Sequence, residues 1–260
     1  MIDRRSFLKT SILGSLPVAW SKLFLPGKTH ILTLSFDDGF KKSFHKIADI
    51  YETHGLHACF NVIASGHFPT FQAVDDWILP ELMGNFDDWN HLSSRGHEIM
   101  PHSWQHLNLA RQPQEKAEKL IMKCLDYFES HLDGYENKNA VFNFPFNAST
   151  PELEKFLLAK VRAVRTRGDG ALNSIPSEAG RLRLQCLSMG PKNIDAWIEK
   201  QVHDFMDSPG GWLILNTHGL DDEGWGPIST EYLKRLIKRM AKIDFLELAA
   251  TGKVLKRTAG

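Results

Sequence analysis

Three short segments of the chain carry side chains that can bind a metal ion and move protons. Residues 35–39 (Ser-Phe-Asp-Asp-Gly) hold two adjacent aspartates, residues 102–106 hold two histidines four positions apart, and residues 213–218 end in a histidine. Two imidazoles on one helical turn and a carboxylate from a strand end form a ligand set that leaves coordination positions open for water and substrate. The spacing therefore predicts a hydrolytic metal site.

The elements that must position these segments are short apolar runs alternating with helical patterns. The predicted strands are residues 30–36, 57–64, 97–102, 140–145, 162–166, 182–189, 212–217 and 245–249. Helices are predicted over residues 43–54, 114–131 and 230–243, where apolar residues recur at helical spacing. Thr150 followed by Pro151 predicts a further helix start, and Asn193 is a candidate cap for a helix over residues 194–206.

The repeated order of strand and helix predicts an α/β fold in which a parallel sheet is covered by outer helices. About seven or eight strands suit closure into a distorted (β/α) barrel. The alternative is an open doubly wound sheet, which lacks its glycine-rich phosphate turn here. In either architecture functional side chains gather at the carboxyl ends of strands, where Asp37, Asp38, His102 and His218 all fall.

Composition limits the range of functions. A chain of 260 residues with 42% hydrophobic residues can bury one full core. Its formal net charge of +0, without a basic block outside the extreme N-terminus, excludes nucleic acid as a partner. Cys59, Cys124 and Cys186 are far apart in the sequence and are expected to be buried free thiols rather than a disulfide framework.

The N-terminal segment has the features of an export signal. Arg4 and Arg5 precede an apolar stretch over residues 12–20, and Ala19 and Ser21 are small residues at the cleavage-determining positions. The segment resembles a twin-arginine signal. We therefore expect residues 1–28 to be a signal and short linker, residues 29–260 to be the catalytic domain, and the protein to be periplasmic or extracellular. Membrane contact is expected only through an uncleaved signal.

Together the three motifs resemble those of the polysaccharide deacetylases of carbohydrate esterase family 4, which have the NodB-homology fold. The family's first motif is Thr-Phe-Asp-Asp-Gly, its second is His-Ser/Thr-x-x-His and its last is Leu-x-Leu-x-His. Here they stand at residues 35–39, 102–106 and 213–218, and the resemblance runs from about residue 30 to residue 248.

The resemblance implies a role for each polar residue. Asp38, His102 and His106 would bind a divalent metal, Asp37 would be the general base, and His218 would be the general acid. Zn²⁺ suits two histidines and a carboxylate, and Co²⁺, Ni²⁺ and Mn²⁺ are alternatives.

The third motif departs from the family pattern Arg-x-Pro-x-Gly. Residues 142–147 read Phe-Asn-Phe-Pro-Phe-Asn, with Asn143 where the family has the arginine that orients the catalytic carboxylate. We expect Arg165, near the end of another strand, to replace it as part of the catalytic apparatus. The backbone N–H of Phe146 is a candidate oxyanion donor.

Substrate-binding residues are expected around the mouth of the barrel. Trp104 and Trp225 offer flat faces for stacking on sugar rings, Phe146 would bind substrate through its backbone N–H, and Leu215 would receive the acetyl methyl group, as the family motif implies. The expected partner is an acetylated polysaccharide or oligosaccharide.

The sequence thus predicts a metal-dependent hydrolase that removes acetyl groups from a polysaccharide, with N-deacetylation of N-acetylglucosamine units as the leading reaction. One alternative is an O-acetyl esterase acting on xylan-like glycans, and another is a catalytically inactive carbohydrate-binding relative. A two-histidine, one-carboxylate iron oxygenase has the same ligand set, but it leaves Asp37 and His218 without a role.

Overall fold

The structure, a computed structural model, describes residues 28–72, 76–170 and 172–257. The predicted export signal lies outside these ranges except for its last residue, Lys28. Within them, none of the helices has both the length and the apolar character that crossing a bilayer requires.

Eight strands are present in the described ranges, and each overlaps one of the eight predicted runs. They are β1 His30–Phe36, β2 Cys59–Val62, β3 Glu98–Pro101, β4 Val141–Asn143, β5 Ala163–Arg167, β6 Leu182–Ser188, β7 Gly211–Thr217 and β8 Leu246–Leu248. The observed strands are mostly shorter than the predicted runs because an apolar run also covers buried residues beyond the paired backbone.

The helices between the strands include all five predicted ones. In chain order they are α1 Lys41–Glu52, α2 Phe86–Ser94, α3 Gln114–His131, α4 Pro151–Leu158, α5 Asp195–Met206, α6 Thr230–Met240 and α7 Thr251–Lys256. Thr150 caps α4 as predicted, accepting a hydrogen bond from the N–H of Leu153. The unpredicted α2 begins with a capping box formed by Asn85 and Asp88.

The strands form one parallel sheet in the order β3-β2-β1-β7-β6-β5-β4. Strand β8 pairs with β1 through His30–Leu32, below the stretch of β1 that pairs with β2. Across the remaining gap, the Asn143 side-chain amide of β4 donates a weak 3.4 Å hydrogen bond to the carbonyl of Pro101 in β3. The sheet is therefore a nearly closed, distorted (β/α) barrel, as predicted, and the open doubly wound alternative is wrong.

Successive residues of each strand face opposite sides of the barrel wall. On β1 the outward Leu32, Leu34 and Phe36 pack beneath the helices, while Ile31 belongs to a separate cluster inside the barrel. Farther along β1, Ser35 hydrogen-bonds to polar side chains of other strands inside the barrel. The interior is therefore apolar near the amino ends of the strands and polar toward their carboxyl ends.

The aromatic packing between β2 and α1 yields a stability prediction. The ring of Phe60 is fully buried and stacks on Phe44, with 4.4 Å between ring centroids. We expect Phe60→Ala to lower the free energy of unfolding by about 3–5 kcal/mol, because it leaves a cavity between sheet and helix. Urea denaturation measures the loss. Phe245→Ala is the control, since Phe245 is 39% exposed, and an equal loss in both variants would contradict the prediction.

Candidate active site

A pocket of about 300 Å³ opens at the carboxyl ends of the barrel strands. The residues that line it are Asp37, Trp77, His102, His106, Phe146, Asn147, Arg167, Ser188, Asn216, His218 and Trp225. Asp37, His102 and His218 come directly after β1, β3 and β7, so the parallel arrangement brings together residues that are distant in sequence.

Asp38, His102 and His106, the predicted metal ligands, converge in the structure. Their ligand atoms all lie within 4.8 Å of one another, and all three residues are buried. The Asp38 Oδ1 atom is 3.5 Å from the Nε2 atoms of both histidines. Ligand atoms around a tetrahedral zinc ion are roughly 3.4 Å apart, given metal–ligand distances near 2.1 Å. The observed separations therefore fit such an ion.

The hydrogen bonds around these residues also fit a divalent cation. Both carboxylate oxygens of Asp38 are buried without a hydrogen-bond partner among the described residues. The Nδ1 atom of His102 lies 2.9 Å from the Asn143 carbonyl, to which it donates, so the Nε2 lone pair faces Asp38. Burial raises the pKa of Asp38, but His106 and His102 outweigh it and hold the pKa well below its ordinary value.

The backbone of the two motifs is in an unusual conformation. Asp38 and Ser103 have φ angles of 80° and 70°, which non-glycine residues rarely adopt. Residues 102 and 103 are irregular and residues 104–106 form a bend, so the predicted helical turn is wrong. The bend still brings the two imidazole rings to 5.3 Å between centroids. Such backbone strain is typical of functional sites, where the surrounding structure holds it.

Asp37, the predicted base, has hydrogen bonds to both of its oxygens. Arg165 Nη2 donates to Oδ2 at 2.5 Å, and Asn61 Nδ2 donates to Oδ1 at 2.7 Å. Burial raises the pKa of Asp37, but the positive charge of Arg165 and the nearby His102 outweigh it and lower the pKa. Asp37 is therefore ionised at neutral pH and able to accept a proton.

The structure places Arg165 where the sequence analysis expected it. Its guanidinium is fully buried inside the barrel and also donates to Ser35 Oγ at 3.1 Å. Asn143 does not take this place, because its side-chain amide donates to the carbonyl of Val141. The sequence analysis missed Asn61, whose only signal is a polar residue inside an otherwise apolar strand.

His218, the predicted acid, lies just beyond β7 and is buried at the pocket. Its Nδ1 atom has no hydrogen-bond partner among the residues that the structure describes. Burial lowers the pKa of His218, and the charges of Asp38 and Asp37 only partly oppose this effect. The protonated imidazole is therefore a stronger acid than that of an ordinary histidine.

The loop after His218 is tied to α1. The Ser43 hydroxyl donates to the Glu223 carboxylate and accepts from the N–H of Leu220 at 2.9 Å. This loop brings Gly224 against His218: a Cβ atom on Gly224 would lie 2.7 Å from the Cβ of His218. With a φ of +88°, Gly224 is also in a conformation that favours glycine. The loop therefore fixes the position of the imidazole.

Two of the predicted substrate-binding residues line the pocket. Phe146 is 43% exposed and lies against His106, with 4.6 Å between ring centroids. Trp225 packs edge-on to His218. Trp77 also lines the pocket, and the sequence analysis missed it.

The other two predicted substrate-binding residues do not line the pocket, and those predictions are wrong. Trp104 is buried outside the barrel wall, edge-to-face with Phe68 and Tyr127, because the bend at Ser103 turns it toward α3.

The prediction for Leu215 fails because of strand alternation. Leu215 faces outward into the core beneath the helices, and the next residue, Asn216, faces the pocket instead. Asn216 Oδ1 accepts a 3.1 Å hydrogen bond from Asn147 Nδ2. The floor of the pocket is therefore polar where an apolar side chain was expected.

A second cavity, of about 440 Å³, lies at the amino ends of β3 and β4. Glu98, a partly buried residue of this cavity, accepts hydrogen bonds from Thr251 Oγ1 and the N–H of Gly252, both at 2.6 Å. These hydrogen bonds satisfy the carboxylate of Glu98, and they also attach α7 to the barrel. The cavity is larger but contains none of the predicted site residues.

Replacing Arg165 tests the ion pair inside the barrel. We expect Arg165→Met to lower the free energy of unfolding by about 3–5 kcal/mol, because it leaves Asp37 buried without its partner charge. Urea denaturation with and without added Zn²⁺ measures this loss. Arg239→Met is the control, since Arg239 forms an exposed pair with Glu199. A loss no larger than that of the control would contradict the assignment.

Replacing Gly224 tests whether the loop positions His218. We expect Gly224→Ala to shift the imidazole and to lower kcat at least tenfold with little change in bound metal, since the added Cβ meets His218 rather than a metal ligand. Gly134→Ala is the control, because Gly134 also has a positive φ but has no atom within 4 Å of its Cβ position. Equal activity in both variants would refute this role for the loop.

Comparison with known proteins supports the fold described above and shows the family of the chain. The family model for polysaccharide deacetylases matches residues 25–159, just over half of the chain. None of the curated proteins compared with the chain matches it. Among solved structures, a Mycobacterium smegmatis protein assigned as a polysaccharide deacetylase has a TM-score of 0.66 and 12% sequence identity, with 94% of each chain covered.

Two further solved structures are similar. The peptidoglycan deacetylase PdaC from Bacillus subtilis, as the mutant D285S, has a TM-score of 0.56 and 17% identity over 89% of this chain and 93% of that chain. A family 4 pseudoenzyme from Bacillus anthracis has a TM-score of 0.54 and 15% identity over 88% of this chain and 66% of that chain. At these identities the likeness is one of fold, and the family model supplies the assignment. This chain belongs to the polysaccharide deacetylase family.

Proposed function

We propose that the protein is a metal-dependent hydrolase that removes acetyl groups from an acetylated polysaccharide, and that its main reaction is N-deacetylation of N-acetylglucosamine units. The observation that carries the proposal is the contrast between two adjacent aspartates. Asp37 has donors on both oxygens, whereas Asp38 faces two histidines and, among the described residues, has no donor on either oxygen. One carboxylate is thus suited to proton transfer and the other to a cation.

Asp38, His102 and His106 would hold the cation, and Zn²⁺ is the ion we propose, with Co²⁺, Ni²⁺ and Mn²⁺ as alternatives. A bound divalent ion supplies Lewis acidity, which polarises a carbonyl group and lowers the pKa of water to about 7. The orientation of His102 follows from its hydrogen bond to the Asn143 carbonyl. The backbone of the third motif therefore supports the metal site although its arginine is absent.

The remaining residues have complementary proton-transfer roles. Asp37 would take the proton of the attacking water as the general base, and Arg165 and Asn61 hold its carboxylate in place. His218 would donate a proton to the leaving group. An amine leaves poorly without a proton and an alcohol needs it less, so a general acid at this position favours an amide substrate over an O-acetyl ester.

The rim supports a carbohydrate substrate. Phe146, Trp225 and Trp77 present aromatic surface around a pocket that also contains amide and hydroxyl groups. The name of the Bacillus subtilis relative points to peptidoglycan as one candidate polysaccharide. The twin-arginine-like residues 1–28 support export to the compartment where such polymers occur, and we propose a periplasmic or extracellular location.

One observation favours a second candidate, a carbohydrate-binding protein without turnover. The Nδ1 atom of His218 has no partner to fix its tautomer among the described residues, and a pseudoenzyme of the family has a similar fold. This candidate predicts glycan binding without acetate release when metal is supplied.

Acetate release from N-acetylated and O-acetylated oligosaccharides decides between these functions. We expect the zinc-loaded wild type to release acetate from chitooligosaccharides, and Asp37→Asn to lower kcat about 10²- to 10⁴-fold, the usual contribution of a general base. Chelation is expected to abolish the activity and added metal to restore it. Asp126→Asn, on the exposed face of α3, is the matched control.

The outcomes separate the candidates. Release from acetylated xylan alone would support the esterase. Binding of chitooligosaccharides without release, in a sample shown to contain metal, would support the inactive relative. Activity that survives both chelation and Asp37→Asn would refute the proposed mechanism.

A further inference from the structure

Two arginines on the same strand differ in their surroundings. Arg165 and Arg167 are two residues apart on β5, so they project from the same side of the strand and are separated by roughly 7 Å along it. Arg165 is buried and its charge is balanced by Asp37. Arg167 lies one step nearer the mouth, is exposed and lines the catalytic pocket.

The backbone of Arg167 is held on both sides, while its side chain has no partner among the described residues. Arg167 pairs with Cys186 of β6, the next residue donates its N–H to the Cys186 carbonyl at 3.1 Å, and Arg183 donates to the Arg167 carbonyl. Within the part of the chain that the structure describes, the Arg167 guanidinium makes neither an ion pair nor a hydrogen bond. No contact in the described structure therefore depends on the positive charge of Arg167, although the backbone contacts fix the position of the residue.

The neighbouring pocket wall offers a further donor. Ser188 and Asn147 line the same pocket, and Ser188 Oγ accepts a 3.2 Å hydrogen bond from Asn147 Nδ2. Among the described residues the Ser188 hydroxyl only accepts, from Asn147 Nδ2, and donates no hydrogen bond of its own. A guanidinium and a hydroxyl that can both donate make this wall suited to an acceptor group, and to an anion above all.

We propose that Arg167 binds a carboxylate of the polysaccharide, so that the preferred substrate is an acidic acetamido glycan rather than a neutral one. This inference rests on the proposed function for the identity of the polymer. A guanidinium presents two parallel N–H groups that match the two oxygens of a carboxylate, a fit that sugar hydroxyls do not offer. The carboxylate can belong to the acetylated sugar itself, as in muramic acid, or to a neighbouring uronic acid.

Binding of glycans that cannot be hydrolysed tests the proposal without relying on turnover. The probes are oligosaccharides of equal length in which neutral methanesulfonamido groups, which cannot be deacetylated, replace the acetamido groups. They are a glucosamine-based oligomer without carboxylates, a muramic acid-containing glycan strand and an oligomer that alternates uronic acid with hexosamine. Isothermal titration calorimetry on the zinc-loaded protein measures each affinity. We expect the wild type to bind one of the acidic probes roughly tenfold more tightly than the neutral one, and the identity of that probe locates the carboxylate.

Variants of Arg167 test whether this residue causes the preference for the acidic probe. We expect Arg167→Met to remove the preference for the acidic probe and to leave the affinity for the neutral one within about twofold. Arg167→Lys should restore part of it, since it keeps the charge but not the two-donor geometry. Arg239→Met removes the same charge from an exposed pair on α6 and should leave the preference intact. Added NaCl should weaken the preference in the wild type and in Arg239→Met alike, and should change nothing in Arg167→Met, which has no preference to lose.

The two proposals fail in different ways. Equal affinity of the wild type for all probes, or a preference that survives Arg167→Met, would overturn the role of Arg167. Acetate release from the corresponding acetylated glycans is measured in parallel. Absence of release from every glycan would refute the proposed function, while the binding preference would still decide whether Arg167 recognises a carboxylate.

Discussion

A buried ion pair across the interior of the barrel is the interaction on which the site depends. Arg165 is on β5 and Asp37 follows β1, and two strands separate them in the sheet. Only the curvature of the sheet brings the two side chains together. Two charges out of water are costly unless geometry and hydrogen bonds compensate, and both oxygens of Asp37 have donors. The ionisation of Asp37 therefore depends on the closure of the barrel and on the register of its strands.

The same ion pair distinguishes two chemically identical neighbours. Asp37 and Asp38 are adjacent, and both have a pKa held below its usual value, but for different reasons. The guanidinium of Arg165 is the main charge that stabilises the first, whereas only imidazoles stabilise the second. The left-handed backbone at Asp38 turns its carboxylate away from the donors of Asp37 and toward the histidines. Environment rather than residue type thus divides their roles, as it does in other pairs of carboxylates.

Much of this arrangement was predictable because it depends on periodicity and on the ends of strands. Buried parallel strands are short apolar runs, and all eight were recognised, so the mouth of the barrel could be located before any coordinates. The position of Arg165 followed from the same reasoning, since a strand that ends at the mouth carries its last side chains there. Asn61 was not predictable in this way, because one amide within an apolar strand has no distinctive spacing. The helix α2 was missed although its capping box was present in the sequence.

The errors at the pocket have a common physical origin in how backbone direction sets the side-chain face. A shift of one residue along a strand exchanges the pocket for the outer core, which is why Asn216 rather than Leu215 lines the pocket. The side chain of Trp104 points away from the pocket for a related reason. Ser103, the residue before it, has a left-handed backbone, which reverses the direction of the side chain that follows. Motif spacing specifies which residues are near the site, but not which of them face it. The hydrogen-bonded amides of Asn216 and Asn147 therefore make the pocket floor more polar than the family motif alone implies.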